Sequence, residues 1–146
     1  MINNYELTTG ADNFRELVST DQIHIDPNKL FVDKTLFIKD FFDSSGKVLL
    51  ITRPRRWGKT LALSMLQHFL SKEVEGLPTA GLFENLKINE YLVDDSKYKK
   101  YQGSFPVILV SFKDLNGDDY SQIEQRIKKI FSRLYREFKY LVDGSV

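Results

Sequence analysis

Apolar residues follow two different rhythms along this chain. Between Ala11 and Ser19, Phe14, Leu17 and Val18 recur at helical spacing, with Asp12 and Asn13 placed to cap the start, so a short helix is predicted there. Beyond the turn Asp26-Pro27-Asn28 and the pair Phe31-Val32, the positions Phe37, Ile38, Phe41 and Phe42 predict a second helix over 35–42, ended near Ser44-Ser45-Gly46. Residues 47–52, K-V-L-L-I-T, break that rhythm. They are almost continuously apolar between a glycine and a proline, the pattern of a strand buried on both faces. Leu61, Leu63, Met65, Leu66, Phe69 and Leu70 predict a third helix, and V-E-G-L-P-T-A at 74–80 ends it and begins a connector. Residues 105–112 read as a second buried strand, with Pro106 at its start, where a missing N–H is tolerated. A stripe of Ile123, Ile127, Ile130, Phe131, Leu134, Phe138 and Leu141 predicts the last helix. Asp118 and Asp119 stand near its start and Arg133, Arg136 and Lys139 towards its end, the order that the helix dipole favours.

Strand, loop, helix, connector, strand, helix is the order of an α/β fold. It predicts a parallel sheet with flanking helices, incomplete at the C-terminal side. A length of 146 residues corresponds to one domain able to bury a core without staples. The chain has no cysteine, which excludes disulfides, thiolate metal sites and thiol nucleophiles. Its 21 Lys and Arg nearly balance 20 Asp and Glu, so no global field directs it to nucleic acid or membrane, although basic residues prevail from Arg53 onward. The N-terminus lacks the basic start and apolar run of a signal peptide, and no stretch approaches a membrane span; a cytoplasmic setting without membrane contact is the expectation. His24 and His68 have no partners at ligand spacing, so no transition-metal site is expected.

Chemistry concentrates in R-P-R-R-W-G-K-T at 53–60, between the first strand and the third helix. A strand, a turn and Gly-Lys-Thr opening a helix form the context of a phosphate-binding loop. In such a loop the N–H groups of Arg56, Trp57, Gly58, Lys59 and Thr60 would cradle a polyphosphate. Lys59 would neutralise its outer oxygens, and the Thr60 hydroxyl would ligate Mg²⁺. The pattern G-x-x-x-x-G-K-[ST] places its first glycine where this chain has Arg53, and Pro54 has neither an N–H nor a free φ. Arg53, Arg55, Arg56 and Lys59 therefore make a stiff and strongly positive loop. The alternative reading of this loop, Arg53 to Lys59, is a nucleic-acid-binding module that contacts the phosphate backbone. Trp57 is expected to pack against the sheet or the helix at 34–42, and the basic face Arg126, Lys129, Arg133 and Arg136 reads as a solvated face.

The chain carries V-D-K-T at 32–35, T-R-P-R-R-W-G-K-T at 52–60, L-F-E-N-L-K-I at 82–88 and F-P-V-I-L-V-S-F-K-D at 105–114. These motifs, in this order, resemble the bacterial AAA-ATPase-like family from about residue 10 to the end. Within that resemblance, arginine in the first-glycine position is a family feature. The resemblance implies that 1–146 is the N-terminal part of a single P-loop ATPase domain, with ATP and Mg²⁺ as cofactors. Longer members often add a nuclease-like domain of the PD-(D/E)XK class. It also implies that Asp33 and Lys34, just upstream of the loop, contact nucleotide or support the loop. Family members place the acid-bearing strand that polarises the attacking water beyond the matching segment. The resemblance thus implies an ATPase-like domain whose nucleotide-binding loop lies in these residues and whose water-polarising acid does not, and no catalytic residue is named. Asp114, two residues past Phe112, reads as a turn or helix-entry acid and not as a metal ligand. The partners implied are a nucleotide and either a C-terminal domain or a second copy, since related ATPase folds often borrow an arginine from a neighbour.

Overall fold

The computed structural model describes residues 12–18, 32–113, 115–117 and 119–144. The turn at Asp26-Pro27-Asn28, together with His24, Phe31, Asp114 and Asp118, lies outside them. The chain divides into two compact units, 1–107 and 108–146.

The first unit is organised on α3, Lys59–Leu70. Met65, Leu66 and Phe69 share one side of its turn and are buried, as their spacing predicts. Across them lies α1, Phe14–Leu17, capped by the Asn13 side chain, which accepts the Arg15 N–H at 3.0 Å. The Phe14 N–H donates to the buried Ser64 hydroxyl at 3.0 Å. Phe14 stacks on Phe83 with ring centroids 5.0 Å apart, and Phe83 meets Phe69 edge-on at 5.2 Å. Each fully buried side chain of this size contributes about 1.5–3 kcal/mol. From α2, Leu36–Asp43, Ile38 enters the same core, and the helix stops at Ser44 as predicted. Leu82, Leu86 and Ile88 close the core from the L-F-E-N-L-K-I segment.

The connector predicted at 74–80 is instead a hairpin. β1, Glu73–Val74, pairs antiparallel with β2, Leu77–Pro78, with Val74 opposite Leu77. Glu75 and Gly76 between them have φ of 55° and 75°, the left-handed pair that follows strand twist in a two-residue turn. The Arg15 guanidinium donates to the Pro78 carbonyl at 2.7 Å and joins the hairpin to α1. A 3-10 helix, Lys87–Tyr91, and α4, Lys97–Tyr101, follow. Asp43 ties α4 to the end of α2, accepting from Lys97, from the Tyr98 hydroxyl at 2.9 Å and from Lys39 at 2.7 Å.

The α/β character holds, but the predicted parallel sheet does not form among the described residues, where the hairpin is the one sheet. Residues 47–52 and 105–112 have no helix and no ladder. Val48 is 88% exposed and Leu50 80%, and Ile108 and Phe112 are exposed as well. An apolar run becomes a buried parallel strand only when neighbours pair with both its edges and helices cover both its faces. Here the composition is present and the pairing is not.

The second unit is carried by α5, Tyr120–Glu137, whose N-cap Asp119 accepts the Gln122 N–H at 2.8 Å. Leu134 is buried, with Ile123, Ile127 and Ile130 half-buried along the predicted stripe. A turn at Phe138 separates α6, Lys139–Val142, so Leu141 lies on a helix of its own. No helix among the described residues is long and apolar enough to cross a membrane.

Two groups make stability depend on pH on the acid side. His68 is buried, its Nδ1–H donates to the Ser64 carbonyl at 2.8 Å, and its Nε2 has no partner among the described residues. Burial holds this imidazole below its ordinary value of 6.5. Hydrogen bonds from Lys39, Lys97 and Tyr98 hold the Asp43 carboxyl well below its ordinary 3.8. Both groups favour the folded state in their deprotonated form. Stability is therefore full above the unfolded value of each and falls as pH drops below 6.5 for His68 and below 3.8 for Asp43. Thermal melts across this range should show both declines, and Asp43→Asn should flatten the lower one alone. An unchanged acid profile in that variant would contradict the Asp43 assignment.

Candidate functional site

The loop before α3 is shaped by its own lysine. The Lys59 ammonium turns back to donate to the carbonyls of Arg53 and of Pro54, the latter at 3.0 Å, and so closes residues 53–59 into a ring. The ring uses their carbonyls, so neither a glycine side-chain vacancy nor a proline N–H is needed. Arg56 and Gly58 have φ of 64° and 73°, and the chain enters α3 directly from Gly58, whose carbonyl accepts the Ala62 N–H at 2.9 Å. No side chain caps the first turn of α3, which leaves the positive end of the helix facing the loop.

Lys34, Arg53 and residues 55–60 border one cleft of about 1160 Å³. The structure thus brings together every sequence-predicted site residue except Asp33. Arg53, Arg55, Arg56 and Thr60 are exposed, and no ion pair among the described residues engages the three arginines. Trp57, expected to pack against a sheet or the second helix, is 58% exposed at the cleft wall. Asp33 stands behind the cleft. One carboxylate oxygen accepts the Thr35 N–H at 2.8 Å and the Thr35 hydroxyl at 2.7 Å, and the other accepts the Lys87 N–H at 2.8 Å.

The opposite character comes from residues that the motif does not contain. Phe14, Leu17, Val32 and Phe37 give the cleft an apolar wall, and Asp40 adds a carboxylate. The helical spacing of Phe14 and Leu17 was visible in the sequence, but not that α1 would lie beside the loop. Among the described residues no group of three or more His, Asp or Glu is placed to hold a metal ion.

Residues 9–144 match the model of the AAA-ATPase-like family, described as Predicted AAA-ATPase. The chain belongs to this family. No curated protein and no solved structure matches it. In this AAA-ATPase-like chain two segments divide by place: R-P-R-R-W-G-K-T borders the cleft, and L-F-E-N-L-K-I contributes Leu82, Phe83, Leu86 and Ile88 to the core.

Gly58 is required for its conformation. A Cβ added there would meet nothing within 4 Å, while its φ of 73° lies in the left-handed region. Gly58→Ala should therefore cost about 1–2 kcal/mol through the backbone alone, read as a lower urea midpoint with an unchanged slope. A neutral result would mean that the loop has another conformation in solution.

Proposed function

We propose that this chain binds Mg²⁺–ATP, with residues 53–60 acting as a variant Walker A loop. The observation that carries the reading is the ring closed by Lys59 at the uncapped start of α3, open to a cleft with three further arginines that no ion pair among the described residues engages. Phosphate oxygens suit these donors well. The N–H groups of the first turn point along the helix axis, Lys59 can pass its hydrogen bonds from two carbonyls to an anion, and the arginines offer bidentate contacts. The apolar wall of Phe14, Leu17 and Val32 suits the uncharged base and ribose edge.

Mg²⁺ fits the site through the Thr60 hydroxyl, with the remaining ligands drawn from the nucleotide and water, as is usual for this ion. When bound it neutralises charge on the outer phosphates. The chain's own part is to bind and orient. Both oxygens of Asp33 already accept hydrogen bonds from the protein, so this residue supports the site rather than ligating the metal. The apolar run 47–52, directly before the loop, has the composition of a P-loop strand and is proposed for that role.

Titration with a fluorescent ATP analogue in Mg²⁺ tests the reading. Saturable binding is expected, reduced about 100-fold or more by Lys59→Ala through loss of the charge-assisted bonds. Thr60→Ala should weaken binding in Mg²⁺ more than in EDTA. Binding of single-stranded nucleic acid that survives Lys59→Ala and falls steeply with salt would favour the nucleic-acid reading of the basic loop instead.

A further inference from the structure

We propose that α1 is a pH-controlled wall of the cleft, seated on α3 while the His68 imidazole is neutral and released when that ring takes up a second proton. The seating of α1 does not depend on what the cleft binds, and its effect on nucleotide affinity rests on the nucleotide-binding reading. The hydrogen bond from α1 to α3 is made at Ser64, one turn before His68. The Phe14 N–H donates to the Ser64 hydroxyl at 3.0 Å, and that hydroxyl stands 3.5 Å from His68 Nδ1. The Phe14 ring lies 6.0 Å from the imidazole. Phe14 also borders the cleft, as does Leu17, so one residue of α1 is shared between the buried histidine and the cleft.

The neutral ring fits its surroundings and the charged ring does not. His68 is 2% exposed, its Nδ1–H donates to the Ser64 carbonyl at 2.8 Å, and Nε2 has no partner among the described residues. A second proton would place a charge and an N–H donor at Nε2 with nothing to receive them. Among the charged groups of the elements packed against it, Arg15 of α1 opposes the added charge and Glu75 of the hairpin turn favours it, while Glu16, Glu73 and Glu84 are exposed. Burial outweighs the attraction of Glu75 and holds the ring below its ordinary 6.5. Water reaches Nε2 only if a packed segment moves. The twelve residues of α3 carry Met65, Leu66 and Phe69 into the core, whereas the four of α1 cannot hold a helix without their contacts, so α1 is the segment that yields. Its release takes Phe14 and Leu17 from the cleft.

NMR on the whole chain without ligand tests the seating. The His68 ring should titrate below pH 6.5, and hydrogen-exchange protection of the Phe14 amide should fall with the same midpoint, relative to the Ser71 amide, which bonds the Gln67 carbonyl of α3. In His68→Leu the Phe14 amide should stay protected through that range. Affinity for an N-methylanthraniloyl ATP analogue with Mg²⁺ is then compared between the two proteins, so that titration of the phosphates themselves cancels. The ratio of wild-type to His68→Leu affinity should fall about threefold or more between about pH 7.5 and 5. Phe14 protection that stays level with Ser71 through the His68 titration would overturn the proposal, as would loss of both amides together, which is global unfolding. A constant affinity ratio would overturn the link to the cleft. No saturable binding by the wild type would overturn the nucleotide reading alone, because the exchange measurement decides the seating of α1 without ligand.

Discussion

Helix α3 is shared between the core and the cleft, so the geometry of the loop follows from how one rigid rod is packed. Its later turns are buried through Met65, Phe69 and His68, and its first residue, Lys59, ties the loop to itself. Phe69 against Phe83, and Phe83 against Phe14, set the position of that rod. A core so closely packed resists small displacements, and the loop inherits that resistance. The Asp33 and Thr35 anchors do the same for the neighbouring wall by fixing the entry of α2 to residues 87 and 88.

Charge and apolar surface are divided between these supports. The basic side chains come from the loop and from Lys34, and the apolar ones from α1 and the α2 entry. Neither chain segment alone makes a site. The hydrogen bond from Phe14 N–H to Ser64 and the contact of Arg15 with Pro78 hold α1 in place, so a four-residue helix that would be unstable alone becomes a wall.

What could be read from the sequence was what depends on local period. The stripes of α2, α3 and α5 have the 3.6-residue rhythm, and each lies within a few residues of its prediction. The loop was legible because Gly58-Lys59-Thr60 opens a helix after an apolar run. The hairpin at 73–78 was hidden because Pro78 and Gly76 resemble helix breakers, and nothing local announces that Glu75 will take a left-handed φ. The parallel strands were inferred from composition, which states what a segment can bury and not what pairs with it. Likewise the second oxygen of Asp33 is claimed by Lys87, a bond that no spacing in the sequence encodes.

The exposed run 47–52 gives the arginines beside it a second physical consequence. A short β-branched and aliphatic segment with Val48 and Leu50 open to solvent is the kind of stretch that seeds intermolecular cross-strand stacking. Arg53, Arg55 and Arg56 follow it directly and act as gatekeepers, since copies brought together in register would crowd their cations. The charge proposed to receive phosphate would thereby also oppose cross-strand stacking at 47–52, and a polyanion that screens it would favour aggregation at the same segment.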